Sequence, residues 1–547
     1  MAGAKGIYGL SGSGLDVESL VKVGMMSHQK KYDRIYKKEV ETEWRKEAYA
    51  NIYDKTNTFK SRMSDYRLSA QTKPMTTTSS NADAVTATAN ANAGVMAHSV
   101  EVTQAATNAY LMTASGQKVA RANSGASTST MLKDVAFASG TRPPGMLDGD
   151  IALKFKISNG KGTTEVAFTA EEVFTKKLTL NDLANRINNA RYTGSDGKKT
   201  SLDIRANYDS VSEGFSLANS KTGDSNKINL TVDTTSSSAG HTTTLLNNLK
   251  LGVVSGGTIG APMTLTTSSP TTTSMVAAGT NANVKIDGRD YNNLQDNKLE
   301  VGGVTYTFKK TTGGTPATVN VAQDQDKLIE NVKKFVEEYN ALIDELNKQY
   351  GNKGNKDYGV LTKSQEEGMT KEQVEKWNAK AKEGLLYRDN YLRSIISDMR
   401  DAVINPVQSA PGRYRTLSSI GITAKDQKGH LQIDETKLKK AIAEEPDAVN
   451  SLISHDDENN DYGNSGVATR LYNRLNGRLK ELEKHSGVAA DKTDLSELGK
   501  LIQNYEKQMS DFKQLMSSFE SKLYKKYNAM EVAISRLSTQ FNFFNGQ

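Results

Sequence analysis

The stretch LSELGKLIQNYEKQMSDFKQLMSSFESKLYKKYNAMEVAISRLSTQFNFF, residues 495–544, holds the strongest periodicity in the chain. Its apolar side chains at Leu495, Leu498, Ile502, Tyr505, Met509, Phe512, Met516, Phe519 and Leu523 alternate in steps of three and four, the spacing of a heptad seam. Phe519, Leu523 and Tyr527 then follow two fours in succession, a stutter, before Met530, Ile534, Leu537, Phe541 and Phe544 resume the alternation. A stutter relaxes the left-handed supercoil locally, so one helix can serve two neighbours. About fifty helical residues extend roughly 75 Å, farther than one small domain covers. The seam therefore calls for partners elsewhere in the chain or in other copies of it. Phe541, Phe543 and Phe544 have only Arg536 nearby, which lacks the basic flank and sustained apolar face of a membrane-inserting helix.

Working outward, the opposite end is also helical. Leu15 to Arg67 is charged, Ser13 and Asp16 are spaced as a capping pair, and Tyr36, Val40, Trp44, Ala48 and Ile52 recur every four residues. Helical spacing returns at Gln325 to Tyr350 with Leu328, Val332, Phe335, Tyr339, Leu342 and Leu346, and the polar loop Gly351 to Gly359 ends it. Further helices are expected near Leu386 to Val403, Leu438 to Ile453 and Leu471 to Leu482.

The middle reads as sheet. Val85 and Ala87, then Val100 and Val102, then Ile151, Leu153, Phe155 and Ile157, then Ile228, Leu230 and Val232 alternate with polar residues, and one short helix, Thr179 to Asn189, interrupts them. Thr231 to Thr280 holds 21 Ser or Thr among 50 residues with two charges, Asp233 and Lys250, and reads as a linker or outer loop. Hairpins follow at Val284 to Tyr291, turning on Asp287-Gly288, and at Leu299 to Phe308, turning on Gly302-Gly303. The fold class expected is α+β, multidomain and elongated: helical N- and C-terminal coiled-coil legs, a mainly helical domain split between both chain halves, and inserted β-rich head domains.

Composition agrees. With 547 residues, 36% hydrophobic and a mean hydropathy of −0.59, the chain suits several modules with much wetted surface better than one core. Without cysteine there is no disulfide, thiolate metal site or thiol nucleophile. Met1 to Leu20 lacks the apolar core of a secretory signal, and no apolar run reaches a membrane span. The net charge of +7 is a small surplus on a mixed surface. Acidic residues are interleaved throughout the basic helix Val21 to Arg67, which disfavours nucleic-acid binding.

Chemistry-bearing motifs do not assemble. His28, His98, His241, His430, His455 and His485 stand singly, without metal-ligand spacing. The acidic run Asp456 to Asp461 resembles a calcium loop until Tyr462 falls where glycine is required and Ala468 where glutamate is required, so a solvated turn is expected. Gly9, Gly12 and Gly14 follow no strand and precede no Walker lysine, and there is no GxSxG elbow. No catalytic, cofactor-binding or metal-binding residue is expected.

Several segments resemble one family. Gly9-Leu10-Ser11-Gly12-Ser13-Gly14-Leu15-Asp16-Val17-Glu18-Ser19-Leu20-Val21 looks like the opening of flagellar hook-associated protein 2, the filament cap. Trp44 with Ala48-Tyr49 resembles its first long helix, and Val85 to Ala89 with His98 to Gln104 its first inserted strands. Val284 to Tyr291 with Gly303-Val304-Thr305 resembles the returning hairpins, and Phe335 to Ile343 the helix after them. The most distinctive block is Leu417-Ser418-Ser419-Ile420-Gly421-Ile422 followed by Gly429-His430-Leu431-Gln432-Ile433-Asp434 and Leu438. Leu111 to Met275 carries no comparable motif.

The resemblance implies a non-enzymatic, self-assembling ring at the distal filament tip, pentamer-like, extracellular, and exported through the flagellar type III pathway without a cleaved signal. Such a cap prevents loss of exported flagellin and promotes its folding and polymerisation. Implied partners are further copies, flagellin, the hook-associated junction proteins and a dedicated export chaperone, with host mucin or glycans as a compatible adhesive role. Nucleic acid and membrane insertion are not implied. The domains expected are 1–42 with 490–547 as the leg, 43–75 with 318–489 as the split helical domain, 76–115 with 276–317 as the inserted β domain, and 116–275 as the outer β domain. Leg contacts are expected at Leu20, Ile35, Ile502, Met509, Phe512, Phe519, Leu523, Ile534, Leu537 and Phe541. The rival readings are another axial flagellar protein, either junction protein or flagellin, and a surface adhesin.

Overall fold

The structure is a computed structural model describing residues 16–122, 130–457, 461–487 and 494–545. The glycine-rich opening and part of the acidic run lie outside the described residues. The chain divides into two compact units, Met1–Pro74 with Asp324–Gln547, and Met75–Gln323.

The first unit is built on two long helices. The leading helix runs Val17–Tyr66, and Asp16 caps it by accepting from the Ser19 backbone N–H at 3.0 Å. The cap is thus Asp16 itself, answered at Ser19, and Ser13 lies outside the described residues. Only Val17, Val21 and Glu39 are buried in its first half, whereas Tyr49, Ile52, Thr56, Phe59, Met63 and Tyr66 are buried in its second. That second set steps three, four, three, four, three, a tighter seam than the four-residue stripe through Tyr36 and Trp44, whose members up to Ala48 stay half-buried. The seam packs antiparallel on the helix Gln325–Gly351: Phe59 lies 6.4 Å from Tyr339, Tyr66 lies 5.4 Å from Phe335, and the Tyr66 hydroxyl donates to the Asn331 carbonyl at 3.0 Å.

Helices Asn390–Ile404, Glu435–Glu444, Ala448–Ile453 and Val467–Ser486 complete this core, with Leu417, Ile420 and Ile422 buried among them. Gly421 sits at φ +91°, where a Cβ would meet the Asp434 carbonyl, so the hairpin Ile422–Ala424/Leu431–Ile433 needs glycine there. Helices Lys363–Glu367 and Lys371–Ala381, each opened by a capping box, occupy a stretch in which the sequence reading placed no helix.

The second unit holds two cores. In one, a five-stranded sheet orders Met75–Ser79, Ala317–Gln323, Ala97–Gln104, Ala282–Ile286 and Arg289–Leu294, beside the three-stranded sheet Lys298–Val301, Val304–Phe308 and Val85–Ala89. Both hairpins turn where expected: Asp287 and Gly288, and Gly302 and Gly303, all have positive φ.

The other core lies between two five-stranded sheets, one centred on Asn108–Thr113 and the other on Lys227–Asp233, with helices Leu180–Asn188 and Ala239–Asn248. Here the linker expected over Thr231–Thr280 is overturned. That stretch forms Ala239–Asn248 and the strands Leu251–Ser255, Thr258–Ile259, Thr266–Ser269 and Thr272–Ala278, because Leu245, Leu246, Leu249, Leu251, Met275 and Ala277 supply a buried set beneath a hydroxyl-covered surface. Ile151, expected inside with Leu153, is exposed. A bulge between them shifts the pairing from Ile151↔Thr169 to Leu153↔Phe168 and turns Ile151 outward.

Candidate functional site: the paired terminal helices

The first half of the leading helix is packed along the closing helix Glu497–Asn545. The register is antiparallel. Leu523 lies over Gly24, where a Cβ would stand 2.8 Å from Leu523 Cδ1, and the His28 ring lies 4.4 Å from Phe519 and 6.0 Å from Phe512. Farther along, Glu39 and Glu43 face Glu506, and at the base Lys46 pairs with Asp494. Gly24 and the more deeply buried Val17 and Val21 were missed by the sequence reading; a glycine within a helix facing a seam leucine was the available signal.

Of the residues expected at leg contacts, Leu20, Ile35, Ile502, Met509, Phe512, Phe519, Leu523 and Ile534 are half-buried. Leu537 and Phe541 are exposed, at 64% and 69%. Half-burial is what one partner helix can achieve, since a single helix covers one side of a seam. Leu495, placed in the seam by spacing alone, is 72% exposed because it precedes the helix start at Glu497. Leu498 is buried in the core of the unit instead.

The pairing carries polar faults. His28 Nδ1 and Asn528 Oδ1 are buried without a hydrogen-bond partner among the described residues. Burial, then the neighbouring carboxylates Glu43 and Glu506, push the Glu39 carboxyl above its ordinary range, and burial and Glu506 do the same to Glu43. The base is better made. His485 Nδ1 lies 2.7 Å from Glu497, whose carboxyl that contact holds below the usual range, and the ring stacks on Tyr391 at 4.6 Å. Tyr49 meets the same ring edge-on at 5.3 Å and donates its hydroxyl to Asp389 at 2.5 Å.

The chain is similar in sequence to known proteins. A family model described as the flagellar hook-associated protein 2 N-terminus matches residues 13–109, and one for its C-terminus matches residues 279–539. Flagellar hook-associated protein 2 of Halalkalibacterium halodurans is 25% identical over 558 residues, covering 97% of this chain and 97% of the relative. The B-type protein of Pseudomonas aeruginosa is 28% identical over 257 residues, 47% of this chain and 46% of its own length. A crystal structure of the flagellar cap protein FliD from Escherichia coli aligns with TM-score 0.48 and 19% identity, covering 80% of this chain and 99% of that one. Matched at both ends by the two models and over nearly its whole length by a relative, with the unmatched span falling in the inserted sheets, this chain belongs to the flagellar hook-associated protein 2 family.

Proposed function

We propose that this chain forms the cap at the distal tip of a bacterial flagellar filament. It acts there as a non-enzymatic, self-assembling structural protein that retains exported flagellin and promotes its folding and polymerisation. The observation that carries the reading is the half-covered closing helix, whose seam continues to exposed Leu537 and Phe541. A seam of that kind gains buried apolar area only by taking further partners, which is the property an assembling leg requires. In this reading Leu20, Ile35, Ile502, Met509, Phe512, Phe519, Leu523, Ile534, Leu537 and Phe541 contact neighbouring subunits or filament. The ring is pentamer-like. The chain reaches the tip through the flagellar export channel, held soluble by a dedicated chaperone, after the junction proteins are in place. Residues 116–275, with the strand Asn108–Thr113 that centres one of their sheets, form the outer module, the part available for mucin or glycan contact.

Immunogold electron microscopy of intact cells with antibody against residues 116–275 tests this. Gold at distal tips supports the cap; gold along the shaft would make the chain a filament protein, gold at the base a junction protein, and unlabelled flagella would sink the assignment.

A further inference from the structure

In the first unit, the turn Lys425–His430 joins the two short strands of the hairpin Ile422–Ala424/Leu431–Ile433, and one imidazole fastens it to the helix Gln325–Gly351. His430 Nδ1 lies 2.6 Å from Asp426 Oδ2, and its Nε2 lies 2.7 Å from Asp344 Oδ1. The ring is largely covered, whereas Asp344 is 70% exposed on its helix. A neutral imidazole has one N–H and one lone pair, so it donates to one carboxylate only; the imidazolium donates to both. The pair of contacts thus fits the charged ring. Asp426, opposed by burial and then helped by Asp344, holds the ring's pKa above the ordinary histidine value.

We infer that Asp426, His430 and Asp344 form a pH-operated clasp, which locks the turn to the helix while both ring nitrogens carry protons and releases it from Asp344 when one proton leaves. Asp344 is the partner given up, because Asp426 belongs to the turn itself and also accepts from the Lys428 N–H at 2.9 Å. With the proton kept on Nδ1, the Nε2 lone pair faces a carboxylate oxygen, a repulsive contact that water readily replaces at so exposed a site. Other charges flank the ring. Lys425 and Lys428 are exposed in the turn, Lys348 stands one helical turn on from Asp344, and Arg400 and Asp401 line the clefts beside the turn from the helix Asn390–Ile404. The cations among them oppose a charged ring, and the two carboxylates in contact outweigh them.

Release is confined to the turn. Asn340 exchanges two bonds with the Leu431 backbone, at 2.7 and 2.8 Å, and these pin the following strand at any pH. Asp426 and Gly429 also line a cavity of about 290 Å³ with Val403, Ile404, Ile422 and Leu431, so the clasp fixes one wall of it. The sign is definite: a pKa raised in the folded state stabilises at low pH, and that contribution is lost as pH rises through the folded value.

The test is amide hydrogen exchange of the full chain from about pH 5 to about pH 9, corrected for intrinsic rates, beside an NMR titration of chain labelled at histidine, with His430→Gln identifying the signal. His430 should titrate with a midpoint above about 6.5. Protection of Lys425–His430 should fall about tenfold through that same midpoint, the equivalent of one charge-assisted hydrogen bond, while Leu431 keeps its protection. In His430→Gln, with fold checked by circular dichroism, the turn should already show its high-pH exchange in acid. Asp344→Asn should lower the His430 midpoint. A midpoint at or below 6.5, protection of the turn that does not change with pH, or a wild-type pH response in His430→Gln would each overturn the clasp.

Discussion

Among the described residues Arg470 is the largest fully buried side chain, at 1% exposure, and it forms no ion pair with a carboxylate. It donates instead to four backbone carbonyls: Tyr462 at 2.7 Å, Asn405 at 2.7 Å, Pro406 at 2.7 Å and Gly463 at 2.9 Å. The fork of the guanidinium suits that task, because it reaches two loops at once with fixed geometry. Burial lowers its pKa from the ordinary arginine value. Arg470→Met should leave those carbonyls without donors and cost about 3 kcal/mol, read as a lower urea midpoint with an unchanged slope. Nothing at residue level in the sequence announced this, since an arginine looks the same whether it staples loops or faces water. Ile151 makes the same point: alternation placed it inside, and a single bulge, invisible to a period-two pattern, turned it out.

Among elements, the helix pair of the leg governs what can be altered. Phe512→Asp or Leu523→Asp puts a charge into a half-buried seam. The cost to the isolated chain should be about 1–2 kcal/mol, while loss of capping should be far larger if the same residues serve assembly. A size-exclusion profile and swimming motility measured together separate the two, and normal behaviour in both would refute the seam. Gly24→Leu should force Leu523 away and loosen the pair, seen as faster proteolysis of the leg, whereas Gly24→Ala should be nearly neutral because only the end of a flexible side chain must move. The raised carboxyls of Glu39 and Glu43 give a pH dependence of definite sign. Their ionisation is harder in the folded leg than in the unfolded chain, so their penalty is absent at low pH and appears as pH rises through the folded pKa. Glu39→Gln should therefore raise leg stability near neutral pH by about 0.2–0.5 kcal/mol and leave it unchanged in acid, as compared by thermal melts at both pH values.

At this scale the sequence was most legible where one face is buried and least where none is. The steps of three and four gave the closing helix correctly, yet could not say how much of each residue one partner would cover. The helix Lys371–Ala381 buries nothing, so periodicity had no grip on it; the repeated Thr362/Gln365 and Thr370/Gln373 capping boxes were the signal that would have revealed it. The Ser- and Thr-rich stretch after Thr231 failed for the opposite reason, its hydroxyl surface hiding a sparse but sufficient apolar set.

Over the whole molecule, the second unit enters and leaves by neighbouring strands, Met75↔Gln323 through Ser79↔Val319. On the other side of that junction the Asp324 N–H donates to the Pro74 carbonyl at 2.9 Å. Each unit is therefore closed on itself at the crossing. Residues 75–323 expressed alone should fold cooperatively with native sheet content by circular dichroism. The remainder, rejoined from residue 74 to 324 by a short glycine linker, should keep its helical melting transition. Aggregation of the excised sheets would count against this independence.

The same junction sets a timetable. In a chain that appears N-terminus first, Met75–Gln323 has all of its strands available long before synthesis ends, while the leading helix waits for Glu497–Asn545, more than four hundred residues later. Contacts so far apart along the chain close last. Until then Val17, Val21 and the far end of the leading helix have nothing to lie against. A ribosome stalled well past residue 323 and before residue 497 would thus hold a finished sheet module joined to an unclosed helix, a state whose exposed seam invites a holding factor.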